Sequence, residues 1–281
     1  MKSNIAIACF GAAHWDYIAQ AHPGHFGPDR PGTVHTRPGG VAANVALGLA
    51  RLGFSVDLLT VVGRDPDGEA LLATLNAAGV RTSNTLISDD VPTGRYVAVE
   101  DETGELAGAV ADCRAIDGLP AGGLAKEAVA EARFWFVEAN LPAPILEEIA
   151  SAAPRPSIIA NPVSPARAGR LRGILDRIAI LYCNRGEAEE ICGASFSNSD
   201  EAAQGLRRKG VTRAVVTDGP AAVCDASADG IVCAEPDLAG FASATGAGDA
   251  FLSRHLAAII AEMSPMTALH AALTPQGKER V

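Results

Sequence analysis

The strongest constraint on how this chain can fold is a rhythm of short, unbroken apolar runs alternating with longer stretches of helical period. The runs fall at 5–10, 56–62, 134–137, 158–160, 178–182 and 214–217, and only Asp57 and Thr60 interrupt the second. Helical patterns lie between them at 41–52, 68–78, 145–152, 170–175, 186–191 and 201–209. In the first, Val41, Val45, Leu49 and Leu52 share one face and Gly53 supplies a stop; Gly79 closes the second. A strand that is apolar at consecutive positions needs cover on both faces. The alternation therefore predicts an α/β fold, with a mostly parallel sheet covered by helices on both sides.

Two stretches break the rhythm. Residues 17–37 are rich in Gly, Pro and His without helical period, and residues 92–112 alternate around a Thr103-Gly104 turn signal. Both read as short antiparallel strands standing apart from the main sheet, a lid and not a second folding unit. One domain over 1–281 is expected, with lid segments at about 17–37 and 92–112.

Composition removes several functions. The 23 Lys and Arg against 33 Asp and Glu leave a net charge of −10 with no basic run, which argues against nucleic acid and anionic membranes as partners. No apolar stretch approaches the ~20 residues of a membrane helix, and the run at 5–13 reads as a buried first strand, not a signal segment. Cysteines at 9, 113, 183, 192, 224 and 233 form no Cys-x-x-Cys and adjoin apolar runs. They are expected to be buried free thiols in a reducing cytoplasm. The six His show no metal spacing; His22 and His25 fall in a loop without an acidic neighbour.

Chemistry concentrates in three segments. The late segment Thr245-Gly246-Ala247-Gly248-Asp249 precedes Ala250-Phe251-Leu252, which opens a helix. Its glycines let successive N–H groups converge at a helix N-terminus, a hollow suited to phosphate oxygens. An acid there makes sense as a base that takes a proton from an attacking hydroxyl, although an acid in the first turn also fits an ordinary helix start. Phe251 stands where the third Gly of a dinucleotide fingerprint belongs, and no P-loop sequence occurs. The early segment Pro38-Gly39-Gly40-Val41-Ala42-Ala43-Asn44 lets a ligand approach the backbone, and Asn44 offers donor and acceptor groups to vicinal hydroxyls. Asp16, just past the first strand, is a candidate hydroxyl acceptor at that strand's carboxyl end. The third segment, Asn184-Arg185-Gly186-Glu187, reads equally as a capping box and as a site in which Asn184 meets a phosphate and Glu187 a hydrated Mg²⁺.

In this order and at these separations, the Gly39-Gly40-x-x-x-Asn44, Asn184-x-x-Glu187 and Thr245-Gly246-Ala247-Gly248-Asp249 segments resemble the PfkB-type, ribokinase-like carbohydrate kinases over 5–258. The resemblance implies a three-layer α/β/α sandwich with a β lid, and phosphoryl transfer from ATP, with Mg²⁺, to a primary hydroxyl of a sugar or nucleoside. It leaves a K⁺ requirement open. It implies a cytoplasmic homodimer joined through the lid. It assigns Asp249 as base beside the Gly246, Ala247 and Gly248 turn, and Asp16, Gly39, Gly40 and Asn44 to the acceptor. It assigns Asn184, Thr217, Gly219, Gly246 and Gly248 to the nucleotide, and Glu187 to Mg²⁺ through water. Thr217-Asp218-Gly219-Pro220-Ala221-Ala222 resembles the nucleotide loop, with Ala222 in place of a usual Gly.

Within that family, 101–105 leading to Ala111-Asp112, then Glu138-Ala139-Asn140-Leu141, and above all Asn161-Pro162-Val163-Ser164 are similar to the pseudouridine kinases. Asn161 and Arg167 stand where those enzymes usually carry Asp and Lys. By this resemblance Thr93, Asp112, Asn161 and Arg167 bind the substrate, the lid residues Thr93 and Asp112 facing the base, and the expected activity is 5′-phosphorylation of pseudouridine. A kinase acting on ribose, fructose or another nucleoside, and a non-catalytic nucleoside-binding relative, stay open. Arg254-His255 intervene where the family places a small-residue pair, and the chain ends 18 residues past Met263, so the closing helices are expected to be shortened.

Overall fold

A computed structural model describes residues 6–22, 31–101, 106–154, 157–236 and 246–274. The Thr103-Gly104 turn, Thr245, His25 and the polar end at 276–280 lie outside the described residues. Among the described residues the main sheet has nine strands. Its parallel part consists of β1 (Ala6–Phe10), β4 (Ser55–Leu59), β6 (Val80–Arg81), β10 (Phe134–Glu138), β11 (Ile158–Asn161), β12 (Ile178–Asn184) and β13 (Ala214–Asp218). An antiparallel hairpin, β14 (Ala221–Ser227) and β15 (Gly230–Ala234), completes one edge. The order is β6-β4-β1-β10-β11-β12-β13-β14-β15. A separate four-stranded sheet holds β2 (His14–Ala21), β3 (Gly32–Gly39), β8 (Arg95–Glu100) and β9 (Leu106–Asp112), in the order β3-β2-β8-β9, and β5 (Val61–Gly63) pairs with β7 (Leu86–Ser88). This is the expected α/β architecture with a lid, but the lid is mixed and not antiparallel throughout: β2 pairs antiparallel with β3 and parallel with β8, and β8 pairs antiparallel with β9.

Alternate residues of each central strand enter two different cores, as a sheet covered on both faces requires. Ile7 and Cys9 pack with Val45 and Leu49 of α1 (Val41–Arg51), Leu71 and Leu75 of α2 (Pro66–Ala77), Leu256 of α8 (Ala247–Ile260) and Leu269 of α9 (Pro265–Leu273). Ala8 and Phe10 join the other core, with Leu146 and Ile149 of α4 (Ala143–Ala152), Ile191 of α6 (Arg185–Cys192) and Leu206 of α7 (Ser199–Arg208). Two short helices, α3 (Arg114–Asp117) and α5 (Pro165–Ala168), sit on loops near the carboxyl ends of the strands.

Several expectations are corrected. The run at 56–62 is two strands, because β5 leaves the main sheet after Thr60 to pair with β7. The pattern at 170–175 is a 3-10 run, Gly169–Arg177. The β14–β15 hairpin escaped the apolar pattern because Asp225 and Ser227 interrupt β14 and β15 is mostly solvent-facing. That hairpin also corrects the thiol reading. Its register sets Cys224 directly opposite Cys233, with Cα atoms 4.2 Å apart, and the two are disulfide-bonded. Cys9, Cys113, Cys183 and Cys192 are free.

Candidate active site

The carboxyl ends of β11, β12 and β13 and the first turns of α1, α6 and α8 enclose one cavity. Such a crevice is where open parallel sheets bind ligands. Gly246 caps α8 at φ 85, and among the described residues no side chain caps this helix. The N–H groups of its first turn are therefore left for a ligand.

Asp249 sits in that first turn, and Asn44 donates from Nδ2 to its Oδ2 at 2.9 Å. This bond joins two Gly-rich segments 205 residues apart. Burial pushes the Asp249 carboxyl up to about 6; the nearby Asp16 charge adds to this, while the Asn44 hydrogen bond and the Arg37 charge oppose it.

Asp16 does not lie at the end of β1. It is the third residue of β2, buried on the lid, paired across the sheet with Arg37, whose Nε is 3.7 Å from its Oδ2. Gly39 is needed here, since a Cβ on it would lie 1.9 Å from Asp16 Oδ1. Gly40, at φ 94, caps α1, and a Cβ there would lie 2.3 Å from the Ala12 carbonyl oxygen. The early segment thus closes tightly on the β1–β2 turn, which leaves Asp16, Gly40, Asn44 and Asp249 in one neighbourhood.

On the opposite wall, Asn184 and Glu187 do form the capping box: Glu187 N–H donates to Asn184 Oδ1 at 2.9 Å, and Asn184 N–H donates to Glu187 Oε2 at 2.8 Å. Both also line the cavity, so the two readings of this motif coexist. Burial raises the Glu187 carboxyl, and Asp249 across the cavity raises it further. Thr217 lines the cavity at the end of β13, and Gly219 turns the chain into β14 at φ 57.

The remaining substrate-binding candidates divide. Asn161 lines the cavity, but its amide is committed: Oδ1 accepts from Val163 N–H at 2.7 Å and Nδ2 donates to the Tyr182 carbonyl. The bond from its N–H to Asn161 Oδ1 accompanies Val163 at φ 69, a costly conformation for a β-branched residue. Thr93 is fully buried, bonded through its N–H and hydroxyl to the Asp65 carboxylate and accepting from Gly63 N–H. It supports the cap of α2 and does not face the cavity. Asp112, at the end of β9, pairs with Arg114, and Arg167 of α5 pairs with Asp117 of α3; neither candidate lines the cavity.

Glu138 belongs to the Glu138-Ala139-Asn140-Leu141 segment, to which the sequence gives no site role. It ends β10 fully buried, its Oε1 accepting from Ala12 N–H at 2.6 Å and its Oε2 from Asn140 N–H at 2.9 Å. Burial pushes it up to about 7 against those two hydrogen bonds. The available signal was a carboxylate closing the otherwise apolar run Phe-Trp-Phe-Val-Glu.

Residues 4–274 match the pattern of the pfkB family carbohydrate kinases. The chain belongs to that family. This pfkB family member is 29% identical over 260 residues to the pseudouridine kinase of Escherichia coli K12, covering 90% of this chain and 83% of that one. A carbohydrate kinase from Agrobacterium tumefaciens superposes with a TM-score of 0.82 at 28% identity, over 96% of this chain and 88% of the other. A ribokinase from Thermotoga maritima shares the fold, with a TM-score of 0.81 at 20% identity over 98% and 94% of the two chains. Among the described residues, no helix is long and apolar enough to cross a membrane.

Proposed function

We propose that this pfkB family carbohydrate kinase transfers the γ-phosphoryl group of ATP to the 5′-hydroxyl of pseudouridine. The observation that carries the transfer is the Asn44–Asp249 bond, which sets a carboxylate of raised pKa between an open helix N-terminus and the Gly39-Gly40 turn. Asp249 takes the proton of the attacking hydroxyl. The N–H groups of Ala247, Gly248 and Asp249 meet the charge that builds on the transferring group. Asp16, Gly39, Gly40 and Asn44 hold the ribose hydroxyls in line, while Asn184, Thr217 and Gly219 hold the nucleotide. The work is mostly positioning and electrostatics. The choice of pseudouridine rests on the similarity to the Escherichia coli enzyme and on Asn161-Pro162-Val163-Ser164 at the cavity. An ADP-release assay over pseudouridine, uridine, ribose and fructose tests it. Preference for ribose or fructose would refute the nucleoside reading and keep the phosphoryl transfer.

Mg²⁺ fits this cavity as a hydrated ion. Glu187 and Asp249 face each other there with no Lys or Arg among the described lining residues, and no cluster of three ligating side chains exists among the described residues. When bound, Mg²⁺ neutralises the phosphate chain beside these two carboxylates. Glu187, oriented by the Asn184 N–H bond to its Oε2, would hold the ion through its hydration water. Glu187→Gln is expected to raise the Mg²⁺ concentration at half-maximal rate several-fold with little change in acceptor KM. An unchanged Mg²⁺ titration would reduce the motif to its cap.

The homodimer is part of the same proposal. Asp16, Tyr96 and Ala98 share the lid face turned to the site; Val97, Val99, Val110 and Val34 share the other, where Val97 is 44% and Val110 72% exposed. An apolar sheet face of this kind marks an association surface, and a second lid supplies the matching one. Wild type is expected to sediment as a dimer and the Val97→Asp/Val110→Asp variant as a monomer. A monomeric wild type at micromolar concentration rules the dimer out.

A further inference from the structure

His255 is fully buried in α8, six residues after Asp249. Beneath it Tyr182, Val215 and Asp225 form a row across three strands, since Tyr182 registers with Val215 and Val215 with Asp225. The imidazole spans that row. Its Nδ1 is 3.0 Å from the Tyr182 hydroxyl and its Nε2 is 3.5 Å from Asp225 Oδ2. Asp225 is held from the far side by Arg213, whose Nε donates to Oδ1 at 2.7 Å and whose Nη2 donates to Oδ2. Above the ring, Phe251 stacks on it with centroids 5.6 Å apart and an interplanar angle of 19°. Phe251 and Tyr182 both line the cavity.

The chemistry fixes the tautomer. Burial holds His255 below its ordinary pKa, so the ring is neutral. Asp225 is the ionised partner: burial opposes its charge, but the Arg213 hydrogen bonds and then His255 outweigh that and hold it low. A neutral ring facing a carboxylate at Nε2 carries its proton there, and Nδ1 then accepts from Tyr182 O–H. The rest of the same buried face of α8 is seated by apolar contacts such as Leu252 and Leu256. Apolar contacts are non-directional, so they allow the helix to slide or turn. The Nδ1 hydrogen bond with Tyr182 is directional, the longer Nε2 contact with Asp225 is electrostatic, and the two partners stand on strands two apart.

We propose that His255 is a positioning residue, which through Tyr182 and Asp225 fixes the axial place and rotation of α8 on the sheet and so places Asp249 and the Gly246–Gly248 turn. Arg254, the next residue back, makes a second tie, donating from Nε to the Ala272 carbonyl of α9 at 3.0 Å. The two residues that interrupt the family's small pair thus anchor the helix on two sides. The proposal rests on the kinase reading only for its effect on turnover.

The test uses Tyr182→Phe, which removes one oxygen, with Asp225→Asn and His255→Phe beside it. Asp225 does not line the cavity, so an effect of Asp225→Asn on turnover travels through its partners His255 and Arg213, and the same loss in His255→Phe assigns it to His255. Turnover is expected to fall about tenfold in Tyr182→Phe, since small misplacements of reacting groups are costly. The KM for acceptor and ATP should stay within about twofold. Amide hydrogen exchange over 247–253 should accelerate, with β10 and α1 unchanged. A lowered melting temperature with unchanged exchange over 247–253 and unchanged kcat overturns the proposal, because that is what mere stabilisation gives. If wild type phosphorylates no acceptor, the functional reading fails and the exchange arm alone decides this one.

Discussion

Asp249→Asn is expected to lower kcat by at least ~10², the usual worth of a general base, while acceptor binding measured by calorimetry stays within a few-fold. The change keeps the side chain's size and its place in the first turn of α8. It removes the proton acceptor and nothing else of that shape. The wild-type pH profile gives a second check. The Asp249 carboxyl is pushed up to about 6, first by burial and then by the Asp16 charge. A base acts only when deprotonated, so kcat/KM should rise with pH through about 6 and level off above it. The variant should lose that rising limb along with its turnover. A loss below tenfold, or an unchanged acid limb, would assign the limb to another group. Glu138, pushed up to about 7, is the first alternative.

The strands of the main sheet that were legible in the sequence share one physical property: both faces are buried, whereas the lid was legible only as a break in that rhythm. Strands such as β1 and β10 are apolar at consecutive positions because two helical layers cover them. The edge hairpin has no such signature. Its buried Asp225 is stabilised by Arg213, a contact with no trace in local sequence pattern. The same distinction runs through the site. Gly39, Gly40, Asn44 and the Gly246–Asp249 turn were legible because tight turns and open helix starts demand particular residues. The location of Asp16 was not, because where the chain leaves β1 for the lid is settled by cross-strand pairing with Arg37 and Tyr96. Thr93 misled for a related reason. A lone Thr in an alternating stretch says nothing of Asp65, 28 residues away, which takes up its hydroxyl.

Gly40→Ala is expected to cost at least ~10² in kcat/KM, the scale of a misplacement of about 1 Å, and a matched control separates the reason. Gly40 and Gly53 flank the same helix, α1, at φ 94 and φ 91. An L side chain is strained at either position, by about 1–3 kcal/mol. Only at Gly40 does the added carbon meet anything: it would lie 2.3 Å from the Ala12 carbonyl oxygen and 3.1 Å from Ala13 Cα, whereas at Gly53 nothing lies within 4 Å. The clash must push the start of α1 away from the β1–β2 turn, which Ala43 N–H now holds through the Ala12 carbonyl at 3.3 Å. Asn44 is the next residue on that helix and moves with it, and its 2.9 Å bond to Asp249 is the contact at risk. Gly53→Ala should therefore lower the melting temperature and leave kcat/KM near wild type. Gly40→Ala should lower both, with the larger loss in turnover. Equal activities in the two variants would show that strain in the backbone, and not the fit between the two Gly-rich segments, is what Gly40 relieves.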